Sequence, residues 1–273
     1  VAKKGKGHKD HDPSAPAEAS PRASGRSANA ADEAAFLAEY DASEFPRPSL
    51  TVDVALVTAA GGSLYALLLR RDQHPEAGKW ALPGGFVRLD EGLDEAAARV
   101  LREKANLSGV FLEQLYTFGK PGRDPRTRVV TVAFYALVPI DRIVRAGVPG
   151  GPWQLGRLRV PWEDEAGGAV EALGDAGDLL PMAFDHAEIL GMAVKRLRGK
   201  LDYAPIGFEL LPETFSLRSL QQIHETISGR RLNKDSFRRR MIASGHLEAT
   251  GERRTDVDHR PPELFRVVRR PTI

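Results

Sequence analysis

The stretch "GGFVRLDEGLDEAAARVLREKANL", Gly84 to Leu107, constrains this chain more than any other. A glycine pair opens a loop, the loop runs into a helix, and the helix carries Arg99 and Glu103. Leu93, Ala97, Val100 and Leu101 recur at the spacing of one buried face, which predicts a helix over 93–105. Such a helix needs a flat apolar surface to lie on, and its flanks supply strands. "SLTVDVALVTA", beginning at Ser49, alternates and is β-branched; "SLYALLLRR" (Ser63–Arg71) follows, with Gly61-Gly62 as a hairpin turn. "VVTVAFYALVP" (Val129–Pro139) reads as a long buried strand. "DHAEILGMAVKRLRGKL" (Asp185–Leu201) reads as an amphipathic helix with Asp185 as its N-cap. The Gly- and acid-rich segment 163–178 reads as a surface excursion. The expected class is α/β.

A length of 273 residues gives room for one large domain or two ordinary ones. The absence of Cys excludes a disulfide framework, a zinc-thiolate site and a thiol nucleophile. No apolar run approaches the ~18–20 residues needed to span a bilayer, and the polar N-terminus lacks the apolar core of a signal peptide. The expectation is a cytoplasmic protein with no membrane partner. Residues 1–47 are rich in Lys, Ala, Ser, Gly and Pro and are expected to form a disordered tail, with a short helix possible near Ala31–Tyr40.

After Tyr203–Pro212 the pattern changes. "SLRSLQQIHETISG" (Ser216–Gly229) begins at an N-cap and ends at a glycine stop, and "NKDSFRRRMIASG" (Asn233–Gly245) repeats that grammar. Two short apolar or β-branched pieces follow around a charged, Pro-bearing turn. Helix, turn, helix and hairpin in that order read as a winged helix. From Glu213 onward there are 13 Lys/Arg against 8 Asp/Glu, in a chain whose net charge is only +2, so the basic excess is concentrated here. A solvated basic surface would show the same excess; the two capped helices and the wing favour an anionic partner. The second helix is the expected recognition helix. Lys234, Ser236, Arg238, Arg239 and Arg240 fall on it, Phe237 and Met241 are its expected buried side, Arg230 and Arg231 lie in the turn, and Arg253, Arg254 and Arg260 belong to the wing.

The cassette at Gly85 has a glycine, five residues, Glu91, seven residues, Arg99, then Leu101, Glu103 and Leu107, and "WALPGGFV" precedes it. This resembles the Nudix box. The resemblance implies an α/β/α sandwich and, in catalytic members, metal-dependent hydrolysis of nucleoside diphosphates linked to another group. Positions 100, 103 and 104 share one side of a helix, where three carboxylates would make a hard oxygen cage for Mg²⁺. Here they are Val100, Glu103 and Lys104. An ammonium about 4 Å from a divalent ion is opposed by about 8 kcal/mol at an effective dielectric near 20. Val100 can simply fill the core, Lys104 can be solvated or partner Glu103, and Glu103 can be left with only a salt bridge. Each reading leaves the cage dismantled, so no catalytic residue, metal or cofactor is expected. Asn106 replaces the box's final glycine.

A narrower resemblance covers Leu50 to Val268. "FGKPGRDPR", then Leu179–Pro212, then "LQQIHETISGRRLNKDSFRRRMIASGHLE" are similar to the Nudix-related transcriptional regulators of NAD metabolism, the NrtR type. That resemblance implies a Nudix-like domain (48–204) that binds ADP-ribose or a related nucleotide, and a winged helix (205–273) that binds operator DNA as a homodimer, usually as a repressor. Closely spaced guanidiniums at Arg123, Arg126 and Arg128 offer forks for phosphate, Asp124 orients one of them or accepts from a ribose hydroxyl, and Phe118 or Tyr116 is available to stack on a base. A surface turn with solvated Arg is the plainer reading of the same loop. The expected effector set is Arg70, Phe118, Arg123, Asp124, Arg126, Arg128 and Glu103. The alternatives are a Nudix hydrolase, such as an ADP-ribose pyrophosphatase, with an accessory C-terminal domain, and an RNA-binding protein.

Overall fold

The computed structural model describes residues 30–201, 203–253 and 261–268. The chain divides into two units, residues 1–46 and 47–273. In the first, α1 (Ala30–Glu39) is the short helix that the sequence allows, and residues 1–29 of the expected tail lie outside the described residues. The rings of Phe36, Tyr40 and Phe45 follow one another at 5.7 and 6.4 Å.

The second unit is built on a mixed sheet. Strand β1 (Ser49–Ala60) pairs in parallel with β6 (Val129–Leu137) and antiparallel with β2 (Ser63–Arg70). The hairpin turn is Gly61-Gly62 with φ of 54° and 79°, the doubly positive geometry of a type I′ turn, which glycine adopts without strain. β5 (Phe111–Phe118) closes one edge beside β6, while β7 (Trp153–Arg159), β8 (Glu171–Leu173) and β9 (Leu179–Leu180) extend the other beyond β2. Short β3 (Trp80–Ala81) and β4 (Gly84–Phe86) add to β2 and β1. The period of two along β1 splits its side chains between two cores. Val52, Val54 and Leu56 face α2 (Leu93–Ala105) and α3 (Ile140–Ala146); Ala55, Val57 and Ala59 face α4 (His186–Lys200). This is the α/β/α sandwich. β3–β5, α3 and β7–β9 were not legible in the sequence. Segment 163–178 is correspondingly less of an excursion than expected, because β8 enters the sheet.

The winged helix comprises β10 (Phe215–Ser216), α5 (Leu217–Ser228), α6 (Lys234–Ala243), β11 (Leu247–Arg253) and β12 (Glu263–Val267), with sheet order β10–β12–β11. Ser216 accepts from the Ser219 N–H at 3.1 Å and Asn233 from the Ser236 N–H at 3.0 Å, so both helices start on the caps read from the sequence. Gly229 ends α5 in the left-handed region, φ 72°. A short 3₁₀ helix (Pro205–Leu210) joins the two domains and buries Ile206, Phe208 and Leu210. Gly207 lies so close to His224 that a Cβ there would sit 3.2 Å from its ring nitrogen. The α4-side core continues through this connector into Leu220, Ile223, Ile227 and Phe237. The two domains are therefore packed on each other rather than strung on a loose linker.

Candidate functional site

The box helix begins at Gly92, whose N–H donates to Glu95 at 2.8 Å, and ends at Asn106 in the left-handed region, φ 52°. Asn tolerates that conformation at some cost, and here its amide also donates to the Ala146 carbonyl at 2.6 Å, tying the helix end to α3. The sequence offers glycine's ordinary substitute, and the fold adds a tether.

Along the helix, Arg99 is the organising cation. It donates from Nε to Glu91 Oε2 at 2.7 Å and from its terminal nitrogens to Glu91 Oε1 at 2.6 Å, the Phe86 carbonyl at 3.0 Å and Glu103 at 3.2 Å. Hydrogen bonding from Arg99 holds the Glu91 carboxyl down at about 2, and the same contacts push the Arg99 guanidinium up. Glu103 receives a second guanidinium, Arg88, at 3.2 Å. Val100 is 1% exposed in the α2-side core, against Gly85, while Lys104 is exposed. One carboxylate already shared by two arginines, a buried valine and an ammonium do not fit a hard-oxygen cage for a divalent cation.

The arginine loop divides its residues in a way that the sequence did not reveal. Arg123 points inward: Nε lies 2.8 Å and a terminal nitrogen 2.5 Å from the two oxygens of Asp185, and that nitrogen is 3.5 Å from Asp53. Its guanidinium is buried and its fork is occupied, which corrects the expectation that it faces a phosphate. Asp185 holds the N-cap position of α4 but makes no capping bond; its carboxylate serves Arg123 instead. Asp124 is also buried and grips Arg126 through Nε at 3.0 Å and a terminal nitrogen at 2.7 Å. Its carboxyl is lowered by the hydrogen bonds from Arg126. It orients an arginine, one of the two roles foreseen for it. Arg126 stays half exposed, 5.8 Å over the exposed ring of Phe86. Arg128 is exposed and bonds the carbonyls of Lys120 and Val129. Arg70 is exposed beside the Gly78 carbonyl, and Phe118 is partly buried with Tyr116 edge-on at 5.5 Å.

Two members of the inner cluster were missed. Asp53 is the lone carboxylate in an apolar strand, a signal present in the sequence, since a buried charge needs a partner. It lies against the glycine pair, where a Cβ on Gly84 would overlap its Oδ1. His186 accepts at Nδ1 from the Leu82 N–H at 2.9 Å, so its neutral ring carries the proton on Nε2, 3.7 Å from Asp53. Burial lowers its pKa and keeps it neutral. Asp53, Arg123, Asp185 and His186 thus tie the glycine loop, the arginine loop and the start of α4 together.

On the winged helix, Phe237 and Met241 are buried, while Lys234, Ser236, Arg238, Arg239 and Arg240 are all exposed on α6. Arg240 lies 5.7 Å over Phe237. Arg231 is almost fully exposed, and Arg253 donates to the Pro261 carbonyl at 3.4 Å. Arg230 is engaged differently from the expectation of a backbone phosphate: it forms an ion pair with Asp164 of the preceding domain. Arg254 and Arg260 lie outside the described residues. No described helix is long and apolar enough to cross a membrane.

Comparison with known proteins agrees with this architecture. Residues 47–151 match the NUDIX domain profile and 207–267 the NrtR DNA-binding winged helix domain. The chain is 37% identical over 240 residues to the ADPR responsive transcriptional repressor NtrR of Acinetobacter baylyi, covering 87% of this chain and 89% of that one. Its structure resembles that of Shewanella oneidensis NrtR complexed with a 27mer DNA, with a TM-score of 0.66, 34% identity and coverage of 80% and 93%. It is also 33% identical over 124 residues to an ADP-ribose pyrophosphatase of Methanocaldococcus jannaschii, covering 45% of this chain and 62% of that enzyme. With both domains matched and the likeness running through nearly the whole of a known repressor, this chain belongs to the NrtR family of Nudix-related transcriptional regulators.

Proposed function

We propose that this protein is an ADP-ribose-responsive repressor of NAD metabolism genes, acting in the cytoplasm as a homodimer. Residues 48–204 sense the nucleotide and residues 205–273 bind operator DNA. One observation carries this reading: α6 turns Phe237 and Met241 inward and Lys234, Arg238, Arg239 and Arg240 outward, in a chain whose box helix keeps only Glu103 at the three cage positions. Early residues of such a helix address base edges in the major groove, and the remaining cations pair with phosphates. In the sensor, Arg126 over Phe86, together with the exposed Arg70 and Arg128 and the partly buried Phe118, supplies cations and ring faces for a nucleotide diphosphate. Asp124 orients Arg126.

A dimer follows from the half-site logic of winged helices, in which two recognition helices meet a pseudo-palindrome. The test is a gel shift with the protein's own upstream region, with and without ADP-ribose. Retardation that ADP-ribose relieves is expected; no retardation of any operator-like duplex sinks the reading. A second reading, Nudix hydrolysis, is favoured by the likeness to the pyrophosphatase and opposed by Val100 and Lys104. Turnover of ADP-ribose by the purified protein with Mg²⁺ or Mn²⁺ at ordinary enzymatic rates would establish it.

A further inference from the structure

Helix α4 is held at both ends by buried or half-buried charge. Its N-terminal end carries Asp185 and His186, which bind Arg123 of the arginine loop and Leu82 of the glycine loop. About 20 Å along the axis, at ~1.5 Å per residue, stands Arg198. Arg198 donates from Nε to the Ile227 carbonyl at 3.0 Å and from a terminal nitrogen to the carbonyls of Asp164 at 2.8 Å and Trp162 at 3.3 Å. It also lies 4.8 Å over the Trp162 ring. Ile227 is in the last turn of α5, where carbonyls lack partners within the helix. Gly229, the next stop, leaves room for the guanidinium: a Cβ there would lie 3.4 Å from it. One side chain of the sensor domain therefore caps the helix that leads into the DNA-reading turn.

The strap that Arg198 grips, residues 162–170, is itself fixed to α4. Val170 donates to the Ala187 carbonyl at 3.2 Å, and the backbone at Gly168 crosses so close to Gly191 that any Cβ there would overlap it. Asp164 then reaches across to Arg230 in the turn before α6. Helix, strap and α5 thus share one hub.

We propose that Arg198 is a positioning residue for operator binding, through which α4 transmits the state of the nucleotide-binding side to the winged helix. The inference rests on the sensor-repressor reading above. A change at the loops that moves the Asp185–His186 end must move the Arg198 end of the same rigid helix. A guanidinium fork fixed on two elements passes that motion to α5, whereas an ammonium, with its single point of charge, does not.

The experiment uses the full-length protein, its upstream duplex in fluorescence anisotropy, and ADP-ribose affinity by calorimetry. In the wild type, ADP-ribose weakens operator binding by a factor expected in the roughly 5- to 150-fold range of coupled sites. In Arg198→Ala and Arg198→Lys, ADP-ribose affinity stays at the wild-type value and that factor falls below about 2, with lysine giving no rescue. Arg198→Lys keeps the charge and stem, so it carries the test if the alanine variant does not fold. Retention of the wild-type factor overturns the proposal, as does loss of ADP-ribose affinity. A wild type that binds neither operator nor ADP-ribose instead overturns the functional reading, and the coupling with it.

Discussion

Arg123 grips Asp185 across 62 positions of sequence, with Nε at 2.8 Å and a terminal nitrogen at 2.5 Å from the two carboxylate oxygens. The pair has side chains only 5% and 14% exposed and joins the arginine loop to the start of α4. Removing one partner leaves the other charge buried and unpaired, which costs about 3–5 kcal/mol. Arg123→Ala is therefore expected to lower the urea midpoint sharply, and Arg123→Lys to recover little, since lysine cannot span both oxygens. A variant with wild-type stability and weakened ADP-ribose binding would return Arg123 to the role of a ligand contact.

Arg238 and Lys234 are exposed on the same helix and are expected to fail differently. A guanidinium that reads a base edge contributes about 1–3 kcal/mol, or roughly 5- to 150-fold in affinity, and carries sequence preference. Arg238→Ala should weaken operator binding by that much and relax discrimination at one position. A lysine on a phosphate carries no preference, so Lys234→Ala should weaken all duplexes alike and reduce the salt slope by about 1. Anisotropy titrations across salt concentration and point-substituted duplexes separate the two. Equal effects on all sequences from Arg238→Ala would move the recognition surface elsewhere on the helix.

Acid titration probes the box helix. Hydrogen bonding from Arg99 holds Glu91 at about 2, below its ordinary 4.5. A carboxyl whose folded value is depressed gives its full stabilisation above the unfolded value and loses it as pH falls through the folded one. The melting-temperature gap between wild type and Glu91→Gln should thus be constant above about pH 4.5 and narrow steadily toward about pH 2. A gap that is flat throughout this window would assign the stabilisation to another group.

The strands β1, β2 and β6, the helices α2 and α4–α6, and the caps at Ser216 and Asn233 were readable because periodicity and capping are local. Weakly patterned edge pieces such as β8 and β9 were not, because two or three residues have no period and are ordered by pairing alone. The same distinction runs through the site. Val100, Glu103 and Lys104 could be judged from the sequence, since helical geometry fixes their common side. Which arginine of the loop turns inward could not, because Arg123 is decided by Asp53 and Asp185, which come to it from distant parts of the chain. Arg198 has no local signature at all: it is one cation of an amphipathic helix until the fold delivers the end of α5 to it.

The remaining prediction concerns what separates this box from an enzyme's. Replacing Val100 and Lys104 by Glu restores the missing carboxylates in sequence but not in structure. Val100 is 1% exposed, so a glutamate there enters an apolar core without a partner, at a cost on the order of 3 kcal/mol. Glu103, the acid already present, is shared between Arg88 and Arg99 and would have to release at least one of them to bind a cation. The double variant Val100→Glu, Lys104→Glu is therefore expected to melt lower than the wild type and to release no product from ADP-ribose above background with Mg²⁺. Turnover in the ordinary range of about 1–10³ per second would mean that two side chains alone keep a hydrolase silent. Background turnover in a folded double variant means that the arginine lattice around Glu103 has reshaped the site as well, and adding Arg88→Ala to the pair then tests which guanidinium holds the carboxylate back.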